Sequence, residues 1–266
     1  MPVYDLSKRR RRRAVRPSPL FLAFIAVCAG GGVLAWSETG TGSRLGDLGV
    51  FLFVVAGWVV SLCLHEFAHA YAAYRAGDRE VEAAGYLTLN PFKYAHPLLS
   101  IVLPLFFIVQ GGIGLPGGAV YLHPHAFRSK RGQSIAAAVG PATNAVFAIV
   151  LLLIVRNQQD SQHLRFWSAL AFLGFLQVTA TVLNLLPIPG LDGYAILEPY
   201  LDRDTRRFAD RIKPWGMIGV IVLLQFQTLN NAFFDLANAI YDRSGVSRIL
   251  WLIGHEFFQF WVKNPA

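Results

Sequence analysis

The sequence predicts a polytopic α-helical membrane protein, with about five to six transmembrane helices and a re-entrant or β-hairpin segment near residues 98–125. Of its 266 residues, 54% are hydrophobic and only 15% are charged. The charged residues cluster and leave long charge-free runs at 17–37, 48–64, 94–127, 132–155, 166–191 and 214–234. Most of these runs suffice for a transmembrane helix of about 20 residues, whereas a soluble helix would carry a polar stripe.

The basic residues are concentrated at the N-terminus. Seven of the 24 Lys and Arg residues lie between Lys8 and Arg16, directly before the first apolar run. Such a cluster binds anionic lipid headgroups and fixes the orientation of the following helix. We therefore expect the net charge of +8 to reflect contact with the lipid bilayer, and we expect no nucleic-acid partner.

The predicted spans alternate across the membrane when the N-terminus is placed inside. They cover about 18–36, 48–75, 140–155, 166–187 and 214–234, each taken from an apolar run and its flanking charges. On this map 18 Lys and Arg residues lie in inner segments and three at outer loops. This asymmetry agrees with the positive-inside rule and supports the map.

Residues 98–118 do not fit this alternation. They are apolar enough to span, but a crossing there would place Arg128 to Arg131 outside. Pro104 and the stretch "GGIGLPGG" favour turns and strands over a continuous helix. We predict a re-entrant segment, which is tolerated at membrane depth only when protein or a wet cavity shields it. A complete span with an inverted second half is the alternative.

The stretch "CLHEFAHAY" places His65, Glu66 and His69 inside an apolar run. Residues i and i+4 of an α-helix lie about 40° apart around its axis, so both imidazoles can reach one ion. Glu66 lies about 100° from His65, where it can act on a water molecule without being a ligand. The alternative is three polar residues satisfied by other helices, but an ionised side chain in mid-membrane costs about 2.5–3.5 kcal/mol. The pattern therefore predicts one bound Zn²⁺ per chain.

A catalytic zinc takes three protein ligands and leaves one position open. The candidates for the third ligand are Asp78, Glu80, Glu82, His96, His123, His125, Asp192 and Glu198. Depth favours Asp192. At about 1.5 Å per residue, the two imidazoles lie about 27–33 Å from Asp47, near the inner face. The span 166–187 ends at the same level because Pro187 and Pro189 stop it, and Asp192 follows directly.

Three segments, "HEFAH", "GPATN" and "NLLPIPGLDG", together resemble the site-2 protease family of intramembrane zinc metalloproteases. The stretch "YLTLNPFKYAHP" resembles the compact bacterial branch that lacks PDZ and CBS domains. The resemblance covers about 45–240. It implies a zinc-dependent intramembrane endopeptidase that cuts the transmembrane segments of membrane-anchored proteins, such as an anti-sigma factor or a signal-peptide remnant.

The resemblance also implies roles for individual residues. It assigns zinc binding to His65, His69 and Asp192, and it makes Glu66 the general base. Substrate binding is assigned to Asn184 and Pro187, with Asn144 and Gly193 as supporting residues. A hydrogen bond between helices is the alternative role for Asn144. This chain has His96 where the branch often carries Asp, so no role of that Asp is transferred, and His96, His123 and His125 are expected to be loop residues.

These inferences give three predicted regions in a bacterial plasma membrane, with the N-terminus and the active site toward the cytoplasm. Residues 1–17 form a basic cytoplasmic segment, 18–240 an intramembrane metalloprotease domain, and 241–266 an amphipathic interfacial tail. The tail's His255–Glu256 pair lacks a second imidazole and is expected to be a coincidence on the surface.

Two alternatives come from other classes. An ion or solute transporter also has broken helices and His/Asp clusters, but no matching pair of broken helices occurs in two halves of this sequence. A catalytically inactive zinc-binding adaptor would not need Glu66.

Overall fold

The computed structural model describes residues 15–39, 42–94 and 122–262. The described residues form ten α-helices and five short 3-10 turns, and they contain no β-strand. Most of the predicted basic segment 1–17 lies outside the described residues, as do His96 and nearly all of the predicted re-entrant segment 98–125.

The helices follow one another in this order: α1 (Pro19–Ser37), α2 (Arg44–Ala76), α3 (Glu80–Ala83), α4 (Lys130–Gln158), α5 (Leu164–Asn184), α6 (Asp192–Leu197), α7 (Arg203–Ile212), α8 (Gly216–Leu223), α9 (Gln227–Asp242) and α10 (Arg248–Phe258). The 3-10 turns cover Tyr86–Thr88, Pro91–Lys93, Pro124–Ala126, Glu198–Tyr200 and Lys213–Trp215.

Helices α1, α2, α4 and α5 are long and apolar enough to cross a membrane. Three of them begin at a serine whose hydroxyl accepts a hydrogen bond from the backbone N–H three residues later, namely Ser18, Ser43 and Ser129. These caps satisfy N–H groups that have no partner within the helix. The four helices correspond to the first four predicted spans and confirm the fold class, although α4 starts ten residues earlier than predicted.

The predicted fifth span, 214–234, differs from the structure because the chain bends there. Residues Arg203–Leu223 and Gln227–Asp242 meet at an angle of 93°. The Asn230 amide donates a hydrogen bond to the Leu224 carbonyl over 3.1 Å, which satisfies a backbone group released by the break. If the bent pair is one span, the described residues hold five spans, the lower end of the predicted number.

Helix α5 lies at the centre of the bundle. It packs against α2, α4 and α10, and most of its surface is buried. At Gly254 of α10 a Cβ atom would overlap the Ser168 carbonyl, so the two backbones are close. Phe175 and Trp251 stack with ring centroids 4.0 Å apart. The C-terminal segment therefore packs on the bundle through α10.

A buried ion pair joins the adjoining ends of three helices. The Arg165 Nε atom of α5 donates to the Asp47 carboxylate of α2 over 3.0 Å, and its Nη1 donates to the Glu38 carbonyl after α1 over 2.9 Å. Both charged side chains are buried, and each provides the opposite charge that the other needs in a medium of low polarity. Through these hydrogen bonds, Arg165 holds the ends of α1, α2 and α5 together.

Candidate metal centre

Three ligand atoms converge where α2, α4 and α6 meet. The Nε2 atoms of His65 and His69 are 3.0 Å apart. The Asp192 carboxylate places Oδ2 3.2 Å from the His65 Nε2 and Oδ1 3.3 Å from the His69 Nε2. Within the described ranges, this is the one group of at least three His, Cys, Asp or Glu residues with the spacing of a metal site.

The hydrogen bonding of His69 suits a metal ligand. Its Nδ1 donates to the Ala136 carbonyl of α4 over 2.6 Å, which leaves a lone pair on Nε2. That lone pair points toward the second imidazole and an aspartate, and these groups also offer lone pairs. Such a set is repulsive unless a cation lies between its atoms. Two imidazoles and one carboxylate fit a zinc ion with a free fourth position.

The turn between α5 and α6 brings Asp192 to the imidazoles. Gly190 adopts φ +103°, a left-handed conformation that favours glycine. At Gly193 a Cβ atom would overlap the Leu185 and Leu186 carbonyls, so this residue allows α6 to begin directly against the end of α5. This close packing requires a glycine at position 193, whereas its supporting role at the active site stays a prediction.

Glu66 shares a cavity with the three converging residues. The cavity has a volume of about 810 Å³ and is lined by His65, Glu66, His69, Asn184 and Asp192, among others. Glu66 is only 2% exposed. The cavity is in the size range of clefts that bind small ligands, roughly 300–1,000 Å³. A buried carboxylate beside a metal-binding set can hold or move a proton at that set.

Gly140 contacts the metal-binding set, and the sequence analysis assigned it no role. It lies on α4, where a Cβ atom would be 2.7 Å from the His65 Nε2 and still closer to the His69 Nε2. A glycine inside a helix costs about 1 kcal/mol relative to alanine, so its position in the apolar helix "GPATN" was a signal of close packing.

Substitution of Gly140 by alanine is expected to displace the two imidazoles and to weaken metal binding by at least about tenfold, the lower range for lost ligand orientation. The measurement is the zinc content of the purified protein, with zinc affinity by competition against a chelator. The control is Gly30→Ala in α1, where a Cβ atom meets nothing within 4 Å. Wild-type zinc affinity in Gly140→Ala would contradict the close packing.

Three further predicted site residues, Asn144, Asn184 and Pro187, do not belong to the metal-binding set. Asn184, at the end of α5, is buried and lines the main cavity. Asn144 is buried on α4 and lines a small cavity with His65 and Asn184, and its Oδ1 atom has no hydrogen-bond partner within the described residues. Pro187 is exposed in the turn after α5. The functions assigned to these three residues stay predictions.

The other described candidates for the third ligand are not part of the converging set, although Glu198 lines the same cavity. The buried Asp78 carboxylate accepts hydrogen bonds from the backbone N–H and Nδ1 of His123, and Nε2 of His123 lies 3.1 Å from Glu80. Glu198 pairs with Lys213 at 2.5 Å. Glu82 and His125 are exposed. Separately, His255 of α10 packs against the Phe172 ring of α5.

One known protein family matches part of this chain. The model of "Peptidase family M50" matches residues 153–226, which include α5, α6 and Asp192. No solved structure matches the chain at a significant level.

Two of the similar curated proteins extend over nearly the whole chain, and a third covers about three quarters of it. A protein of Mycolicibacterium smegmatis, "Putative zinc metalloprotease Rip2", is 54% identical over 253 residues, which cover 95% of this chain and 97% of the relative. The protein of that name from Mycobacterium tuberculosis is 47% identical, covering 96% and 98%. "Putative zinc metalloprotease YwhC" of Bacillus subtilis is 29% identical, covering 72% and 89%.

Proposed function

The chain belongs to peptidase family M50, the site-2 protease family that its motifs predicted, and we propose that its metal centre hydrolyses peptide bonds within the membrane. The protein is a zinc metalloendopeptidase with membrane-spanning helices. In this proposal His65, His69 and Asp192 hold the zinc, and Glu66 is the general base. The observation that carries it is the convergence of three ligand atoms in the cavity that also contains Glu66.

The residues of the cavity have different roles in the proposed reaction. Zinc bound by the three ligands would activate a water molecule and polarise the scissile carbonyl. Glu66 accepts the proton of the attacking water and then donates it to the leaving nitrogen. Asn184 lines the cavity and offers its carboxamide to the substrate backbone. A substrate helix hides its carbonyls in i→i−4 hydrogen bonds, so it unwinds locally before it is cut.

The substrates in this proposal are membrane-anchored proteins, such as an anti-sigma factor or a signal-peptide remnant. The membrane is a bacterial plasma membrane, with the N-terminus and the active site toward the cytoplasm. The excess of Lys and Arg in the inner segments, 18 against three in the outer loops, supports this orientation. The wet cavity then opens near the inner face, where water reaches it.

Removal of the metal is expected to stop cleavage reversibly. Wild-type protein in an uncharged detergent should contain about one zinc per chain and should cleave a single transmembrane-helix substrate. Dialysis against a chelator should remove both the zinc and the cleavage, and stoichiometric zinc should restore them. The measurements are metal content by mass spectrometry and substrate cleavage on gels.

Two results would oppose the proposal. Freshly purified, folded protein without zinc would rule out the metal centre and favour the transporter alternative. Zinc in the protein without cleavage of any transmembrane substrate would instead favour the inactive adaptor.

A further inference from the structure

Helix α7 has a basic face and an apolar face. Arg203, Arg206 and Arg207 line the cavity that contains the metal centre. At 100° per residue these three positions fall within an arc of about 100°, and we call this arc the arginine face of α7. Phe208 and Ile212 lie on the opposite side of the helix and are exposed. The side of α7 that lines the cavity is therefore charged, not apolar.

The charge of the arginine face is only partly compensated. Arg207 lies 3.5 Å from the exposed Asp204. Within the described residues, 15–39, 42–94 and 122–262, Arg203 and Arg206 form no ion pair. The remaining residues of the sequence include a single acidic side chain, Asp5.

The acidic residues around the arginine face are already engaged. Asp202 caps α7 by accepting hydrogen bonds from two backbone N–H groups in the first turn of the helix. Asp210 lies within the same arc of α7 and also lines the cavity. Glu198 and Asp210 both bind the ammonium group of Lys213, at 2.5 and 2.8 Å. At least two guanidinium groups in the wall of the cavity are thus available for an anionic partner.

We infer that the arginine face binds an acidic segment of the substrate that flanks the transmembrane helix to be cut; this rests on the proposed function. The face lines the same cavity as Glu66 and Asp192, so the chain that reaches the metal centre passes beside it. Carboxylates of that chain pair with the guanidinium groups, and lysine or arginine flanks are repelled. Because many membrane proteins carry basic residues on their inner flanks, this repulsion slows their cleavage relative to substrates with acidic flanks.

The two-sided character of α7 favours a peptide over a lipid headgroup as the partner. An interfacial helix buries its apolar face in the boundary between headgroups and acyl chains. Phe208 and Ile212, with the neighbouring exposed Trp215, form such a face. The arginine face lies opposite this surface and borders the cavity, so its partner enters the cavity and not the bilayer.

The test uses one transmembrane-helix substrate in three versions, flanked by three Glu, three Gln or three Lys residues, in an uncharged detergent without added lipid. Wild-type protein is expected to show a kcat/KM about tenfold higher for the Glu version than for the Gln version, the sum of two to three exposed ion pairs. The Lys version should be cleaved slowest. The preference should decrease at high salt.

The double variant Arg203→Glu/Arg206→Glu should reverse this order, so that the Lys version is cleaved faster than the Gln version and the Glu version slowest. The matched control is Arg211→Glu, which makes the same change of charge on α7 at a position that does not line the cavity. It should keep the wild-type order. Should the double variant lose its zinc or its fold, Arg206→Gln takes its place and should reduce the preference for the Glu version.

The possible outcomes distinguish a failure of this inference from a failure of the proposed protease function. Equal cleavage of all three versions by the wild type would overturn the inference and leave the protease intact. No cleavage of any version would count against the proposed function instead. A stimulation that needs anionic lipid and ignores the flanks would assign the arginine face to headgroups and overturn the inference.

Discussion

Substitution of Glu66 by glutamine is expected to abolish peptide cleavage while the protein keeps its zinc. The two side chains have nearly the same shape, and position 66 is buried, so the packing of α2 is preserved. Glutamine cannot accept the proton of the attacking water. General acid–base catalysis contributes about 10²- to 10⁴-fold, and a loss of at least this size is expected in kcat. The measurements are single-turnover cleavage and zinc content on the same preparation.

The control is Glu256→Gln in α10, which makes the same change in the second His–Glu pair of the chain. Glu256 is exposed and does not line the metal-centre cavity, so wild-type cleavage is expected. Zinc-loaded Glu66→Gln with wild-type kcat would exclude Glu66 as the base. A loss of zinc in this variant would mean that Glu66 holds the metal.

Substitution of Asp192 by alanine is expected to remove both zinc and activity. It takes away the carboxylate that lies 3.2 Å from the His65 Nε2 and 3.3 Å from the His69 Nε2. Loss of a group that merely orients a ligand weakens zinc binding about 10- to 100-fold, so loss of a ligand is expected to exceed 100-fold. Zinc affinity by chelator competition is the primary readout, because it does not depend on catalysis.

The control is Asp235→Ala on α9, an exposed aspartate away from the cavity, which should keep wild-type zinc affinity. Wild-type zinc affinity in Asp192→Ala would disprove the ligand assignment and return the question to the other carboxylates of the cavity, Glu66, Glu198 and Asp210. Circular dichroism on each variant distinguishes metal loss from unfolding.

The features best predicted from the sequence are those that lie within a single helix. Apolar runs and their flanking charges located α1, α2, α4 and α5, because a bilayer requires long apolar helices whatever their neighbours are. The pair His65 and His69 follows from i and i+4 spacing alone. Depth along two spans also favoured Asp192 over seven other candidates, and the structure places it beside both imidazoles.

The bend of 93° between α8 and α9 was not predicted. The prediction of one span rested on the absence of charge in 214–234 and gave no weight to the polar residues Gln225, Gln227 and Asn230 at the break. The break is stabilised by Asn230, whose amide reaches back to the Leu224 carbonyl. A hydrogen bond of this kind depends on the angle between two segments and not on their hydropathy.

The sequence by itself determined the membrane-spanning class, the family and the face of α2 that carries His65, Glu66 and His69. Only the tertiary structure decided that Gly140 makes room for the imidazoles and that Ala136 orients one of them. It also decided that the arginine face of α7 lines the cavity. The physical reason is that helical spacing fixes the neighbours within one helix, whereas contacts between helices depend on packing among segments far apart in the chain.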